Sequence, residues 1–222
     1  MKPLHSWKVS VQKAIQIQEH LKDRVVLKKT FIKAKTIGAG DVAYSKNKDQ
    51  LFGAVAVLAF PEMGILDIAT AFGNIPFPYV PGLLGFREGP ILIKAFQKLK
   101  VKPDVMIFDG QGIAHPRGFG LASHVGLWLD VPSIGCAKTP LLAELTSPGP
   151  LKGSFELIRR RGQEVCAVLR TKDKVRPIFV SPGHRIDLLT SIEVILASCR
   201  GFRMPEPLRR AHHISRLQLQ RA

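Results

Sequence analysis

The densest set of chemically active side chains in this sequence follows a short apolar run. Val105 to Phe108 has the length of a buried strand and ends in Asp109, which opens a glycine-rich loop containing His115, Arg117 and His124. A carboxylate carried by a strand into such a loop lies where backbone can approach a ligand closely. Histidine and arginine suit metal binding, phosphate contact or proton transfer. An Asp after a strand is also a common helix cap or turn former, but a structural turn does not require so many titratable and constrained positions.

Two further acids belong to the predicted elements around this loop. Asp41 lies within a small-residue strand, residues 36–44, where a buried carboxylate needs a partner or a metal ion. Glu88 stands at the entrance of a helix predicted for residues 91–99, where the helix dipole already favours an acid. If Asp41 and Asp109 lie on adjacent central strands, they can share one divalent ion. Mg²⁺ fits such a site because it takes oxygen ligands and can activate water for phosphodiester cleavage.

An aromatic loop, residues 72–85, is the other candidate for ligand contact. Tyr79 lies between Pro78 and Pro81, which restrict the backbone and can present the ring rigidly. A presented ring could stack on a base or wedge into a duplex. The alternative is that Tyr79 caps the edge of the core, and the loop alone leaves both interpretations open.

Composition narrows the class of partner. The chain has 222 residues with 45% hydrophobic content, which predicts a single domain spanning residues 1–222. Its 33 Lys and Arg against 17 Asp and Glu give a net charge of +16, spread along the chain. A positive field of this size favours nucleic acid, with an anionic membrane surface as the alternative, although no run is long enough to span a bilayer. Nothing in the sequence indicates an obligatory protein partner.

The cysteines and the amino terminus indicate the compartment. Three cysteines lie far apart without paired spacing, which is typical of reduced thiols, and the first residues lack a signal peptide's apolar stretch. We therefore expect a cytoplasmic protein.

The hydrophobic patterns that must position these side chains predict an α/β fold with a mixed central sheet flanked by helices. Short connections between the first three strands favour an antiparallel meander. The predicted strands are residues 36–44, 51–60, 65–72, 105–108, 133–136, 155–158, 165–169 and 178–180, and the predicted helices are residues 7–21, 91–99, 121–129, 188–199 and one starting near 208. Residues 181–185 are predicted to form a polar loop.

Several short motifs together resemble the endonuclease V family of deoxyinosine 3′ endonucleases. They occur in family order over roughly residues 36 to 216, nearly the whole chain. One departure is Leu208, where a Thr often follows Pro-Glu-Pro. The matching pieces are Gly40-Asp41-Val, Pro78-Tyr79-Val-Pro81-Gly82, Phe86-Arg87-Glu88, Asp109-Gly110, Gly112-Ile-Ala-His115-Pro-Arg117, Ala122-Ser-His124, Ile134-Gly, Ala137-Lys138, Gly183-His184-Arg185 and Pro205-Glu206-Pro207.

The resemblance implies a ribonuclease H-like fold and a DNA repair activity that depends on Mg²⁺, with Mn²⁺ as a substitute. Family members cut inosine-containing DNA at the second phosphodiester bond 3′ to the lesion, leaving a 3′ hydroxyl and a 5′ phosphate. An endoribonuclease acting on inosine in RNA is one alternative. A non-catalytic nucleic-acid-binding module is another, but it would not need three acids within a strongly basic protein.

The resemblance also implies roles for individual residues. Asp41, Glu88 and Asp109 would be acidic metal-site residues, and Lys138 would contact phosphate near the scissile bond. His212 would complete the cluster, although adjacent His213 leaves that placement open by one residue. Tyr79 would be the wedge that fills the space left by a flipped inosine. The substrate-binding residues would further include Gly82, Leu84, Gly110, Gly112 and His115.

Overall fold

A computed structural model of the protein describes residues 3–45, 49–142 and 147–220. All eight described strands form one mixed sheet in the order β3-β2-β1-β4-β5-β8-β7-β6. The strands are β1 (Thr36–Tyr44), β2 (Gln50–Ala59), β3 (Ile65–Asn74), β4 (Val105–Asp109), β5 (Ser133–Ala137), β6 (Phe155–Arg160), β7 (Gln163–Leu169) and β8 (Ile178–His184). The helices are α1 (Val11–Leu21), α2 (Leu84–Gln97), α3 (Leu121–Leu129), α4 (Leu188–Ser198) and α5 (Glu206–Gln220), with a short 3₁₀ turn at Lys22–Arg24. The predicted α/β class, a mixed ribonuclease H-like sheet flanked by helices, is confirmed. None of the described helices combines the length and apolar character needed to cross a membrane.

The strand pairing brings the two strand acids side by side. The first three strands form the predicted antiparallel meander, and β4 then pairs with β1 in parallel. In that pairing Gly40 lies opposite Phe108, so the next residues along the two strands, Asp41 and Asp109, lie at the same level. Asp41 and Asp109 therefore lie on adjacent central strands, the arrangement that the sequence requires for two acids that share one divalent ion.

The alternation of side chains decides which helices these acids face. Ile37 and Ala39 of β1, with Val105 and Ile107 of β4, belong to the core cluster that also contains residues of α4 and α5. Because side chains alternate across a strand, Asp41 and Asp109 continue this face. The opposite face packs against α2 and α3 through Met106 and Phe108. The helix α5 therefore reaches Asp41 from one side of the sheet, and α2 approaches from the other.

The helix α2 begins at Leu84, seven residues before the predicted start. Pro90 was expected in the first turn but lies in the helix interior, where its missing N–H removes one helical hydrogen bond. Burial compensates, because Phe86 is fully buried and packs with Leu83 and Phe77 in one cluster. Glu88 consequently projects from the second turn of the helix and does not stand at its entrance.

Two other boundaries differ from the predictions. The helix α1 begins at Val11 because the Ser10 side chain accepts a hydrogen bond from Lys13 N and caps it, which leaves Trp7 outside the helix. The strand β8 continues through His184, where a polar loop was predicted. Its backbone pairs with β5 despite the proline at 182, with a register shift next to Ser133.

The amino-terminal segment closes over the back of α2. His5 and Trp7 pack against His124 and Trp128 of α3, and the Nε2 atoms of His5 and His124 are 2.7 Å apart. Gly85 allows α2 to lie close to His124 of α3, because a Cβ at Gly85 would lie 2.6 Å from the His124 Nδ1 atom. The cluster thus supports the helix that carries Glu88.

Acid should destabilise the protein through this histidine cluster. Burial lowers the pKa of His124 well below its usual 6.5, and burial also lowers the pKa of His5. In the unfolded chain these histidines bind protons near pH 6.5, whereas in the folded chain they stay neutral to lower pH. The free energy of unfolding is therefore highest above pH 6.5 and decreases as the pH falls below it. We expect the free energy of unfolding to fall as the pH is lowered from 6.5 to 5, with His124 contributing to the loss.

The measurement is the urea midpoint of the parent and of His124→Gln at pH 7 and pH 5. Subtracting the two pH dependences cancels the opposite contribution of Glu88, whose pKa burial raises to about 8. The parent should lose more stability on acidification than the variant. Equal losses would show that His124 does not couple folding to protons.

Candidate active site

Three carboxylates from three elements meet at the ends of β1 and β4. Asp41 comes from β1, Asp109 from β4 and Glu88 from α2. Burial raises the pKa of Glu88 to about 8, and the negative charges of Asp41 and Asp109 add to that rise. Burial likewise raises the pKa of Asp41, with Asp109 again contributing. These mutual effects show that the structure brings the three predicted acids within electrostatic reach of one another.

The helix α5 supplies two partners to Asp41, which is only 8% exposed. The Ser215 hydroxyl donates a 2.6 Å hydrogen bond to Asp41 Oδ2, and His212 Nδ1 lies 3.3 Å from the same oxygen. His213 is exposed and makes no such contact in the described part of the chain. Between the two adjacent histidines, the structure therefore places His212 at the acids.

The other two acids have partners of their own. The Tyr44 hydroxyl donates a 2.7 Å hydrogen bond to Glu88 Oε1. Lys138 Nζ lies 3.5 Å from Asp109 Oδ2, and both side chains are partly exposed. At that distance and exposure the ion pair contributes little to stability, so Lys138 can turn toward a bound phosphate at small cost.

The donor set fits a divalent metal ion. Three carboxylates provide the oxygen ligands that Mg²⁺, Mn²⁺ or Ca²⁺ prefers, and their mutual repulsion would be relieved by a cation between them. Across residues 3–45, 49–142 and 147–220, however, no three Asp, Glu, His or Cys side chains are already arranged as a ligand set. The three carboxylates nevertheless interact electrostatically, since the charges of Asp41 and Asp109 both contribute to the raised pKa of Glu88.

A cavity of about 500 Å³ adjoins these acids. Its lining includes five of the six predicted substrate-binding residues, namely Tyr79, Gly82, Leu84, Gly110 and His115. Asp109 and Lys138 line it as well, so the cavity and the acid cluster share two residues. The volume falls in the range of small-molecule pockets, and four of the lining residues are glycines, where no side chain covers the backbone.

Gly112 is the predicted pocket residue that does not line this cavity. A Cβ at Gly112 would lie 2.0 Å from the Pro182 carbonyl oxygen, and its N–H donates to Ser181 Oγ at 2.7 Å. The glycine is required there because β8 backbone packs directly against it. Gly112 therefore lies behind the residues that line this cavity, and its assignment to the substrate-binding residues stays a prediction.

Both ring nitrogens of His115 are occupied within the protein. Nε2 donates to the Gly82 carbonyl at 2.9 Å, and Nδ1 accepts from Arg117 N at 3.1 Å. Burial lowers the pKa of His115 to about 4, so the ring is neutral at pH 7. In this arrangement neither nitrogen is free for a base, and His115 shapes the pocket through Gly82.

Tyr79 lies at the mouth of the cavity with 73% of its surface exposed. The sequence left open whether this ring packs at the core edge, and its exposure argues against that alternative. An exposed ring beside a cavity has the placement that a stacking residue requires.

The family assignment comes from comparison with known proteins. The family model described as Endonuclease V matches residues 19–213 of this chain. The chain belongs to the endonuclease V family. An endonuclease V of Dictyoglomus turgidum is 46% identical over 208 residues, which covers 94% of this chain and 90% of that protein. The resemblance in the sequence motifs is thereby confirmed.

Solved structures of endonuclease V proteins have the same fold. The crystal structure of the Streptomyces avermitilis endonuclease V superposes with a TM-score of 0.92 at 38% identity, covering 97% of this chain and 96% of that one. The Ciona intestinalis endonuclease V superposes with a TM-score of 0.84 at 27% identity, covering 95% and 98%. That Ciona protein was crystallised with a 24mer DNA containing an inosine followed by a ribo-adenosine.

Sequence reasoning missed three residues of this endonuclease V site. Tyr44 holds Glu88, Ser215 holds Asp41, and Gln18 lines the cavity. Gln18 left a signal in the sequence, because it occupies an apolar position in the pattern of α1 between Ala14 and Leu21. Tyr44 and Ser215 left none, since their contacts depend on how α2 and α5 pack against β1.

Proposed function

We propose that this protein is a DNA repair endonuclease that recognises deoxyinosine. It hydrolyses the second phosphodiester bond 3′ to the lesion and leaves a 3′ hydroxyl and a 5′ phosphate. The observation that carries the proposal is the sharing of Asp109 and Lys138 between the glycine-lined cavity and the acid cluster. A base held in the cavity would place its own strand against the acids. Membership of the endonuclease V family supports the same conclusion.

Base recognition rests on the cavity and its rim. An enzyme acting at a damaged base pays for unstacking it, and the cost is least where pairing is already weak. Gly82 and Gly110 line the cavity without a side chain, so the backbone can lie close to the base, and backbone groups can distinguish hypoxanthine from adenine at the Watson–Crick edge. Tyr79 fills the position that the base vacates. Leu84 supplies an apolar wall for the base plane.

Phosphodiester cleavage rests on the acid cluster and its cationic neighbour. Asp41, Glu88 and Asp109 would hold Mg²⁺, with Mn²⁺ able to substitute. The ion, when bound, supplies Lewis acidity to the phosphodiester and stabilises charge on its leaving oxygen. Lys138 binds a phosphate oxygen near the scissile bond, and leaves Asp109 to do so. His212 and Ser215 keep Asp41 oriented toward the cluster.

The position of the cut tests this proposal. Synthetic strands labelled at one end and carrying one inosine, in duplex DNA, single-stranded DNA or RNA, would be incubated with Mg²⁺ and resolved beside a ladder. We expect the DNA to be cut at the second phosphodiester bond 3′ to inosine. The product should have a 3′ hydroxyl that a polymerase can extend. Cutting of the RNA strand alone would favour the endoribonuclease alternative. No cutting with retained binding would favour the non-catalytic module.

The net charge of +16 predicts a steep salt dependence of DNA binding. Each phosphate neutralised by Lys or Arg releases counterions, so log affinity falls with log salt at a slope of about −0.9 per contact. With four phosphates contacted, affinity should fall about a hundredfold between 50 and 200 mM salt. Fluorescence anisotropy of a labelled undamaged duplex measures this. An affinity that stays constant over that range would remove the electrostatic role of the basic residues.

Two broader proposals accompany this function. We propose that residues 1–222 act as one catalytic domain, which agrees with a single sheet containing every described strand. The cytoplasmic location stays a prediction, supported by cysteines 136, 166 and 199, which are buried free thiols.

A further inference from the structure

Gln18 of α1 is a buried polar residue that lines the cavity, and both polar atoms of its side chain have hydrogen-bond partners. It is 1% exposed, at a position where the helical pattern calls for an apolar side chain. Its Nε2 donates to the Gly82 carbonyl and to the Phe119 carbonyl, both at 2.9 Å. Its Oε1 accepts from Arg117 Nε at 2.6 Å. A buried amide is tolerated only when it is satisfied in this way, so the arrangement around Gln18 is a specific one.

The Gly82 carbonyl is the meeting point of this network. It accepts from Gln18 Nε2, His115 Nε2 and Arg117 Nη2, each at 2.9 Å. A carbonyl oxygen has two lone pairs, so three donors, one of them cationic, hold it unusually firmly. Gly82 itself has φ +80°, and a Cβ there would lie 2.7 Å from Arg117 Nη2. Glycine is favoured there because L side chains rarely adopt this φ, and a Cβ would also displace the Arg117 guanidinium.

Gly82 connects the two functional parts of the site. Tyr79 precedes it by three residues, and α2, which carries Glu88, begins two residues after it. The turn between them is closed by the hydrogen bond from Leu83 N to the Val80 carbonyl. The donors to Gly82 come from α1 and from the loop after β4, so they fix the Tyr79 loop relative to the rest of the cavity.

We infer that Gln18 is a positioning residue for base recognition, which acts by holding Gly82 and thereby the Tyr79 ring at the mouth of the cavity. The inference rests on the proposed function, because it assigns Gln18 to inosine recognition in that same site. Gln18 need not touch the base, since its polar atoms are already engaged. Its loss should change discrimination between bases through the placement of Tyr79.

The test measures the ratio of affinities for duplexes that differ only in inosine or adenine, in EDTA so that no strand is cut. Gln18→Met is nearly isosteric and removes all three hydrogen bonds. Its ratio should fall about tenfold. Gln18→Glu keeps the acceptor for Arg117 but loses both amide donors to carbonyl oxygens. Gln18→Glu should lower the ratio as well, and it replaces Gln18→Met in the test if the Met variant does not fold.

A double variant separates positioning from general damage. In the Tyr79→Ala background, Gln18→Met should lower the ratio by no more than about a further twofold, because the ring that Gln18 positions is gone. Backbone amide exchange in residues 79–83 should quicken in Gln18→Met. Ile195→Val, a core substitution in α4 far from the loop, should leave both the ratio and this exchange unchanged.

The outcomes decide between the inference and the proposed function. A parent that does not distinguish inosine from adenine would overturn both. With a discriminating parent, the inference alone falls if Gln18→Met and Gln18→Glu keep the parental ratio. It also falls if the losses of Gln18→Met and Tyr79→Ala add fully, or if Ile195→Val lowers the ratio equally.

Discussion

Replacing Asp109 by alanine should abolish strand cutting while leaving binding to inosine-containing DNA intact. Asp109 is the acid that the cluster shares with the cavity, and it contacts Lys138. A divalent ion is worth several kcal/mol of charge stabilisation in the transition state, and each 1.36 kcal/mol is tenfold in rate. We therefore expect the single-turnover rate to fall about a thousandfold or more. Binding should persist, because removing a negative charge near the phosphates does not weaken their attraction.

The control is Asp23→Ala, which removes the same charge from an exposed position away from the acids. Its cutting rate should match the parent's. Asp109→Asn, of the same size as the parent residue, separates loss of the carboxylate from loss of packing and should be as inactive as the alanine variant. Full Mg²⁺-dependent cutting by either Asp109 variant would remove this residue from the metal site.

Replacing Tyr79 by alanine should remove most of the preference for inosine. A ring stacked in a nucleic acid contributes about 1–3 kcal/mol, which corresponds to about 5- to 150-fold in affinity. Pro78 and Pro81 hold the loop in advance, so little ordering cost offsets that gain. Because Tyr79 is largely exposed, its truncation should not lower the free energy of unfolding appreciably.

Tyr79→Phe is the matched control, since stacking needs the ring more than the hydroxyl. It should lose less than about twofold of the preference, as fluorescence anisotropy with inosine and adenine duplexes would show. Affinity for undamaged DNA should be similar in both variants and the parent. An alanine variant that still distinguishes inosine from adenine as well as the parent would show that Tyr79 is not the wedge.

The strands that carry the site were predictable from local patterns. The run before Asp109 and the small-residue strand around Asp41 are long enough and apolar enough to be recognised as buried. The sequence did not show whether these two strands are neighbours in the sheet, because the parallel pairing of β1 with β4 joins segments about sixty residues apart. The start of α2 was not predictable, since Pro90 suggested a first turn and only the burial of Phe86 explains the earlier start.

The site was predictable to the extent that family motifs record it. Asp41 and Asp109 follow from strand patterns, but Glu88 had a structural explanation until the family resemblance was recognised. The hydrogen bonds that hold these residues were beyond the sequence. Gln18 reaches Gly82 across 64 positions, and such a contact has no local pattern. For Gly112 the sequence did not reveal that the backbone of β8 packs directly against this loop glycine.

The most direct test of the central claim is a two-by-two measurement of strand cutting by the parent protein. Two duplexes that differ only in inosine or adenine at one position would each be incubated with Mg²⁺ or with EDTA, and the single-turnover rate recorded. The structure predicts rapid cutting in one of the four reactions alone, the inosine duplex with Mg²⁺. Equal cutting of both duplexes would contradict base recognition by the cavity, and cutting in EDTA would contradict a metal site at Asp41, Glu88 and Asp109.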